Sequence, residues 1–204
     1  GNCAGDTAAA SAPGGAGGTG GERTVAPTKT MQMEPVAATA IADTQYVVAL
    51  DHQGGTGADT VTCYLGEVPG TIAVPVRTGY AFGGYFTEFD GRGICWFDAK
   101  GQAVGVWNTD VKTLYAKWTV CSYTVTFDRQ GGVGGSASVT AIYDAAMPTA
   151  TMPTRTGYTF QGYFTEPSGR GTQYYDGNGT GTRAWDVDKA MTLYATWEIL
   201  HYSV

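Results

Sequence analysis

The chain states one sequence twice. Tyr46-Val-Val-Ala-Leu-Asp-His-Gln-Gly-Gly55 returns as Tyr123-Thr-Val-Thr-Phe-Asp-Arg-Gln-Gly-Gly132. Arg77-Thr-Gly-Tyr-Ala-Phe-Gly-Gly-Tyr-Phe-Thr-Glu88 returns as Arg155-Thr-Gly-Tyr-Thr-Phe-Gln-Gly-Tyr-Phe-Thr-Glu166, and Thr113-Leu-Tyr-Ala-Lys-Trp118 as Thr192-Leu-Tyr-Ala-Thr-Trp197. The copies stand 77, then 78, then 79 residues apart, so order and spacing survive across a whole module. This is tandem duplication of a small domain, which directs attention to an array of bodies before a catalytic pocket.

A module this short has little interior and must fill it with large side chains. The 5 Trp, 13 Tyr and 7 Phe, nearly all after residue 45, meet that need. The 31 Gly and the many Thr, Val and Tyr describe short strands joined by glycine turns. Each copy predicts about five strands. In the second, Tyr123, Val125 and Phe127 alternate with polar neighbours, and Asp128 to Gly135 is a loop. Val139–Tyr143 is the returning strand of a hairpin, and a Pro-bearing crossover (Pro148, Pro153) has room for one helical turn. Tyr158–Phe164, Thr172–Tyr175 and Thr192–Trp197 follow as strands. Phe82/Phe160, Leu114/Leu193 and Trp118/Trp197 are the expected core, with Gly79/Gly157 in the turn before the third strand. The expected organisation is a leader at 1–43, module 1 at 44–119 and module 2 at 120–200. Residues 1–21 are Gly, Ala, Ser and Thr with little to bury and read as a flexible tether; 22–43 read as an extended approach to module 1.

These blocks, "YTVTFDRQGG … PTRTGYTFQGYFTE … TLYATW", resemble the Listeria–Bacteroides repeat, the internalin B-type B repeat, over roughly residues 44 to 198. Gly84-Tyr85-Phe86 and Gly162-Tyr163-Phe164 stand where that family has Gly-Trp-Tyr. The first copy also departs at Val76 and Leu50, where the family has Thr and Phe. The resemblance implies a mainly β, β-grasp-like (ubiquitin-like) fold of about five short strands and one short helical turn. It also implies a place on the surface of exported bacterial proteins, as a spacer or adhesive segment meeting a host or cell-surface protein or a glycan.

Composition narrows the alternatives. The net charge is −6, with no run of Lys or Arg, which argues against a nucleic-acid or anionic-membrane partner. No apolar stretch approaches the roughly 20 residues of a membrane span. No signal peptide is recognised, which fits a mature, truncated or cytosolic chain. A monomer is expected. His52 and His201 have no partner at a meaningful spacing, and Asp51/Asp128, Glu88/Glu166 and Asp98/Asp176 read as turn caps beside Gly. No catalytic, cofactor-binding or metal-binding residue is therefore nominated, and no cofactor. The nearest approach to a metal motif is Asp176-Gly-Asn178-Gly-Thr180-Gly181, the first half of a calcium loop. Its twelfth position is Val187, flanked by Asp186 and Asp188, and an Asn-Gly hairpin turn is the favoured reading.

Two further expectations concern rings and thiols. Tyr85/Tyr163 and Tyr115/Tyr194 lie on the strand faces opposite Phe82/Phe86 and Leu114/Trp118 and would face solvent if one side of the sheet were open, the basis of the alternative function, a carbohydrate-binding module. The favoured reading is that they pack against a crossover or the neighbouring module. Cys63 and Cys95 both lie in module 1, and both are replaced in module 2, by Ala141 and Gln173. That is the pattern of a disulfide confined to one module or of two unrelated buried thiols. Cys121 sits at the joint and Cys3 in the leader, where the preceding Asn2 suits lipidation poorly.

Overall fold

The computed structural model describes Cys3 and residues 44–202, so the expectations for 1–43 otherwise lie outside the described residues. Ten strands follow in order: β1 (Gln45–Asp51), β2 (Thr60–Tyr64), β3 (Tyr80–Phe86), β4 (Cys95–Phe97), β5 (Thr113–Val120), β6 (Ser122–Asp128), β7 (Ser138–Ile142), β8 (Tyr158–Glu166), β9 (Arg170–Asp176) and β10 (Met191–Ile199). They form two five-stranded sheets of the same design, β2-β1-β5-β3-β4 and β7-β6-β10-β8-β9. In each, the first and last strands lie parallel at the centre, and every other pairing is antiparallel.

The alternation expected from the sequence is strict in β6, where Tyr123, Val125 and Phe127 are buried and the residues between them exposed. A sheet with one apolar face needs cover, and here it comes from loops. The crossovers run extended: Thr56 pairs with Val76, and Val133 with Thr154, in isolated bridges. Those bridges occupy backbone groups that a helix would need, and prolines interrupt the segment, so the expected helical turn in the crossover is not formed. Among the described residues the one helical turn is Phe89–Gly91, between β3 and β4. Two tryptophans from the connection before the last strand, Trp107 and Trp185, fill the space under each sheet with zero exposure.

Tyr85 and Tyr163 are packed, as favoured, but the structure corrects the face of the sheet from which they do so. They are 1% and 0% exposed and lie in the core. Phe82 pairs with Trp118 but Gly84 with Lys117, so a β-bulge inserts one residue between them. Beyond the bulge the inward parity reverses, and Tyr85 faces the same side as Phe82. The same shift occurs between Thr196 and Trp197 opposite Gly162 and Phe160. Tyr115 and Tyr194 stay on the outer face, half-buried, and Tyr115 lies against Phe89 with ring centroids 4.3 Å apart.

The thiols are also resolved. Cys63 and Cys95 are free. They sit on β2 and β4, the two opposite edges of one sheet. Four inter-strand spacings separate them, about 19 Å, against the roughly 7 Å between Cα atoms that a disulfide tolerates. The disulfide present joins Cys3 to Cys121, across 118 residues. Burial pushes the Cys63 thiol up to about 11 and the Cys95 thiol upward as well, so both are poor nucleophiles in the folded chain. Ellman titration should find two reactive thiols in unreduced, denatured protein and four after reduction. Four without reductant would refute the pairing.

Candidate functional site

The residues that recur in both copies converge on one structure, a clamp on the Gly-Gly loop. Asp51 and Asp128 accept the backbone N–H of Gln53 (3.0 Å) and Gln130 (2.9 Å), turning the chain out of the strand. Arg77 and Arg155 donate from Nη1 to the carbonyls of Gln53 (3.1 Å) and Gln130 (3.3 Å). Their guanidinium carbons lie 3.8 Å from the ring centroids of Tyr80 and Tyr158. Trp118 and Trp197 donate from Nε1 to the carbonyls of His52 (2.7 Å) and Arg129 (2.9 Å). A Cβ at Gly55 or Gly132 would lie 2.5 or 2.4 Å from the indole, so glycine is needed where the ring closes on the loop. The signature thus specifies a fastening, with its polar groups spent on backbone carbonyls.

Of the other sequence candidates, His52, Asp98 and Asp176 are hydrogen-bonded to neighbouring groups. His52 Nδ1 is 2.7 Å from the Tyr85 hydroxyl, and its Nε2 is 3.6 Å from an Asp59 carboxylate that is almost wholly exposed. Burial, with the Asp51 charge second, pushes the Tyr85 phenol up to about 12, so this hydroxyl stays protonated and is sealed from any substrate. In module 2 Arg129 takes the place of His52 and donates to the Gly135 carbonyl. His201 is exposed.

Asp176 Oδ1 accepts the N–H groups of Asn178 and Thr180, both at 2.9 Å. Asp98 does the same for Lys100 (2.8 Å) and Gln102 (2.9 Å), and those backbone bonds hold its carboxyl below the usual range. Both copies therefore use this aspartate to cap a hairpin turn. Asp186, beside the calcium-loop position, is engaged by the Tyr174 hydroxyl and by Arg183. Among the described residues no three His, Cys, Asp or Glu side chains gather to hold a metal.

The short joint at residues 119–122 is expected from the sequence to restrict the angle between modules; the contact that fastens it, and its disulfide, are not foreseen. Gly79 and Tyr80, at the start of β3, meet Tyr143 at the end of β7: a Cβ on Gly79 would fall 2.1 Å from the Tyr143 ring, and the two tyrosine rings pack edge-on at 6.1 Å. Ala81 packs into the core of the second sheet, and Cys121 N–H donates to the Gly79 carbonyl at 2.9 Å. Cys3, through its disulfide, and Asp188 complete the walls of the cleft beside this contact. The one available signal was that Cys3 and Cys121 both lie outside the repeated blocks.

Comparison with known proteins agrees with this layout. The Listeria-Bacteroides repeat domain matches residues 46–117 and again 123–196, together more than half of the chain. Internalin H of Listeria monocytogenes is 31% identical over 121 residues, covering 56% of this chain and 19% of that protein. A protein of Evansella cellulosilytica named "Putative Gly-rich membrane protein" is 37% identical over 136 residues, 63% of this chain and 15% of its own length. The chain thus spans less than a quarter of the length of these relatives. With both matches falling one on each sheet, the chain belongs to the Listeria-Bacteroides repeat domain family.

Proposed function

We propose that this chain is a non-enzymatic, rigid spacer segment of an exported bacterial surface protein, made of two β-grasp-like modules at 44–119 and 120–200. The observation that carries the reading is the joint. A flexible linker would leave two beads free to swivel, whereas here a glycine stripped of any side chain admits the Tyr143 ring and a disulfide fastens the same spot. Fixed angles between successive bodies turn a repeat into a strut that holds a distal domain at a set distance. Disulfides persist in oxidising surroundings, which supports placement outside the cell, at the bacterial surface. Among the described residues no helix is long and apolar enough to cross a membrane. The partner would be a host or cell-surface protein or glycan, met by a monomeric segment.

Residual dipolar couplings test rigidity directly: one alignment tensor should fit both modules. Tyr143→Ala together with reduction of the disulfide should split it in two. Two tensors in the unaltered chain would overturn the strut. The carbohydrate-binding alternative keeps only Tyr115 and Tyr194 on the open face. It would be favoured by glycan-array binding that Tyr194→Ala abolishes.

A further inference from the structure

We propose that the exposed end of module 2, around Gly157, Tyr158 and Leu200, is a docking socket for a third module of the same fold whose first strand begins at His201. This rests on the spacer reading and says how the strut continues. Its basis is a comparison of equivalent positions within the molecule. At the joint, Gly79 is buried because Tyr143 of the next module lies on it. At the far end of module 2, the counterpart Gly157 keeps the same left-handed backbone (φ 79° against 75°) and is exposed, with nothing among the described residues within 4 Å of a Cβ built there. The hydrogen bond that delivers the chain into the next module is also already made: Leu200 N–H donates to the Gly157 carbonyl at 2.9 Å, as Cys121 does to Gly79. Arg155 holds Tyr158 as Arg77 holds Tyr80, so the socket is preformed. Thr159, the counterpart of Ala81, is exposed.

The sequence identifies the occupant. Leu200-His201-Tyr202-Ser203-Val204 carries the Tyr-x-Val that opens both modules, Tyr46-Val-Val48 and Tyr123-Thr-Val125, at the matching place after the preceding strand. Tyr123 is 5% exposed in its module, whereas its counterpart Tyr202 is 80% exposed, a core ring without a core. The interface has complementary halves. The ring that fills the Gly79 socket comes from the position after β7, held there by Tyr143 N–H donating to the Cys121 carbonyl. In module 1 that position is Leu65, whose N–H donates to Thr44 in the same way, and Leu65 is 40% exposed. Among the described residues each end thus shows one unfilled half of a head-to-tail contact, the arrangement that extends into an array. Tethering by a short joint raises the effective concentration to roughly millimolar, so a small contact suffices.

The test continues the full chain from Val204 with residues 126–199, placing Tyr202 to Val204 where Tyr123 to Val125 stand in module 2. One alignment tensor is expected to fit all three modules. Replacing the appended copy of Tyr143 by Ala should release the third module alone, and Gly157→Val should do the same. A third module that folds yet tumbles separately while the first two share a tensor would overturn the socket and leave the strut standing. Separate tensors for modules 1 and 2 would instead overturn the strut itself. A third module that fails to fold after this opening would show that Tyr202 does not begin a strand of that core, and would also sink the proposal.

Discussion

Trp185→Ala should lower the melting transition of module 2 by ~15–30 °C while leaving that of module 1 within a few degrees. The indole is fully buried and lies 4.8 Å, centroid to centroid, from Tyr174. It also ties down a loop that no helix supports. Trp185 N–H donates to Ala145, Asp144 N–H donates to the Trp185 carbonyl at 2.7 Å, and the residue bridges Tyr143 in parallel. Its Nε1 meets no acceptor among the described residues, and the buried ring acts there through packing. Truncating a buried Trp to Ala costs ~3–5 kcal/mol, and in a domain of this size each kcal/mol is worth ~4–8 °C. A module with only a few kcal/mol to lose would then be largely unfolded near its original melting temperature. Trp107→Ala should act on module 1 in the same way, since that ring is equally buried and packs on Trp96 at 4.5 Å. Calorimetry of the two variants should move one transition each. A shift below ~5 °C in both would mean that the loops re-close over the gap and that the tryptophans are not the keystones of their modules.

The parts of this fold that were legible in the sequence are those governed by local period. Tyr123, Val125 and Phe127 could be assigned to one face because nothing interrupts two-residue alternation in β6. The turns could be placed because Asp-x-x-Gly stretches and the Thr-Gly-Tyr blocks carry their own backbone preferences, and Gly79 and Gly157 do take positive φ. Alternation failed at Tyr85 and Tyr163 because one inserted residue reverses the parity of everything after it. The crossover was read as room for a helix because length alone does not reveal that Thr56 and Val133 will recruit its backbone into bridges. The cysteines left two readings open for a related reason, and the unpaired one holds. Cys63 and Cys95 share a module, but sheet order puts them on opposite edges, and sequence fixes no sheet order. Cys3 and Cys121, 118 residues apart, meet only because the joint folds as it does. The clamp of Arg, Tyr, Trp and Gly-Gly was visible as a set of repeated residues, but its purpose emerged only once their distances were known.

Gly162→Ala tests the bulge and should destabilise module 2 by ~3–5 kcal/mol. At φ 134° this residue lies outside the left-handed region that Asn or Asp visits, and a Cβ would stand 2.2 Å from the Tyr175 carbonyl oxygen and 2.5 Å from Gln173 Nε2. The first of these is backbone of the neighbouring strand and cannot step aside without parting β8 from β9. The second belongs to an amide that staples the bulge, donating to the carbonyls of Gln161 (3.2 Å) and Tyr175 (3.0 Å). Backbone strain at such a position is worth ~1–3 kcal/mol by itself, and the collision adds to it. Gly66→Ala supplies the control: its φ is 84° but nothing lies within 4 Å of the new methyl, so only ~1–2 kcal/mol of left-handed strain is expected. Gly84→Ala, with a Cβ 2.6 Å from the Phe97 carbonyl, should behave like Gly162→Ala in the other module. Urea midpoints of the three variants decide the matter. If Gly162→Ala were no worse than Gly66→Ala, the strand would have escaped by sliding out the bulge. That slide would turn Tyr163 from the core to solvent, because its inward aim depends on the inserted residue. Tyrosine fluorescence and accessibility to nitration would then rise together. Rings on the open face would be gained at the expense of the core that makes the module a rigid body.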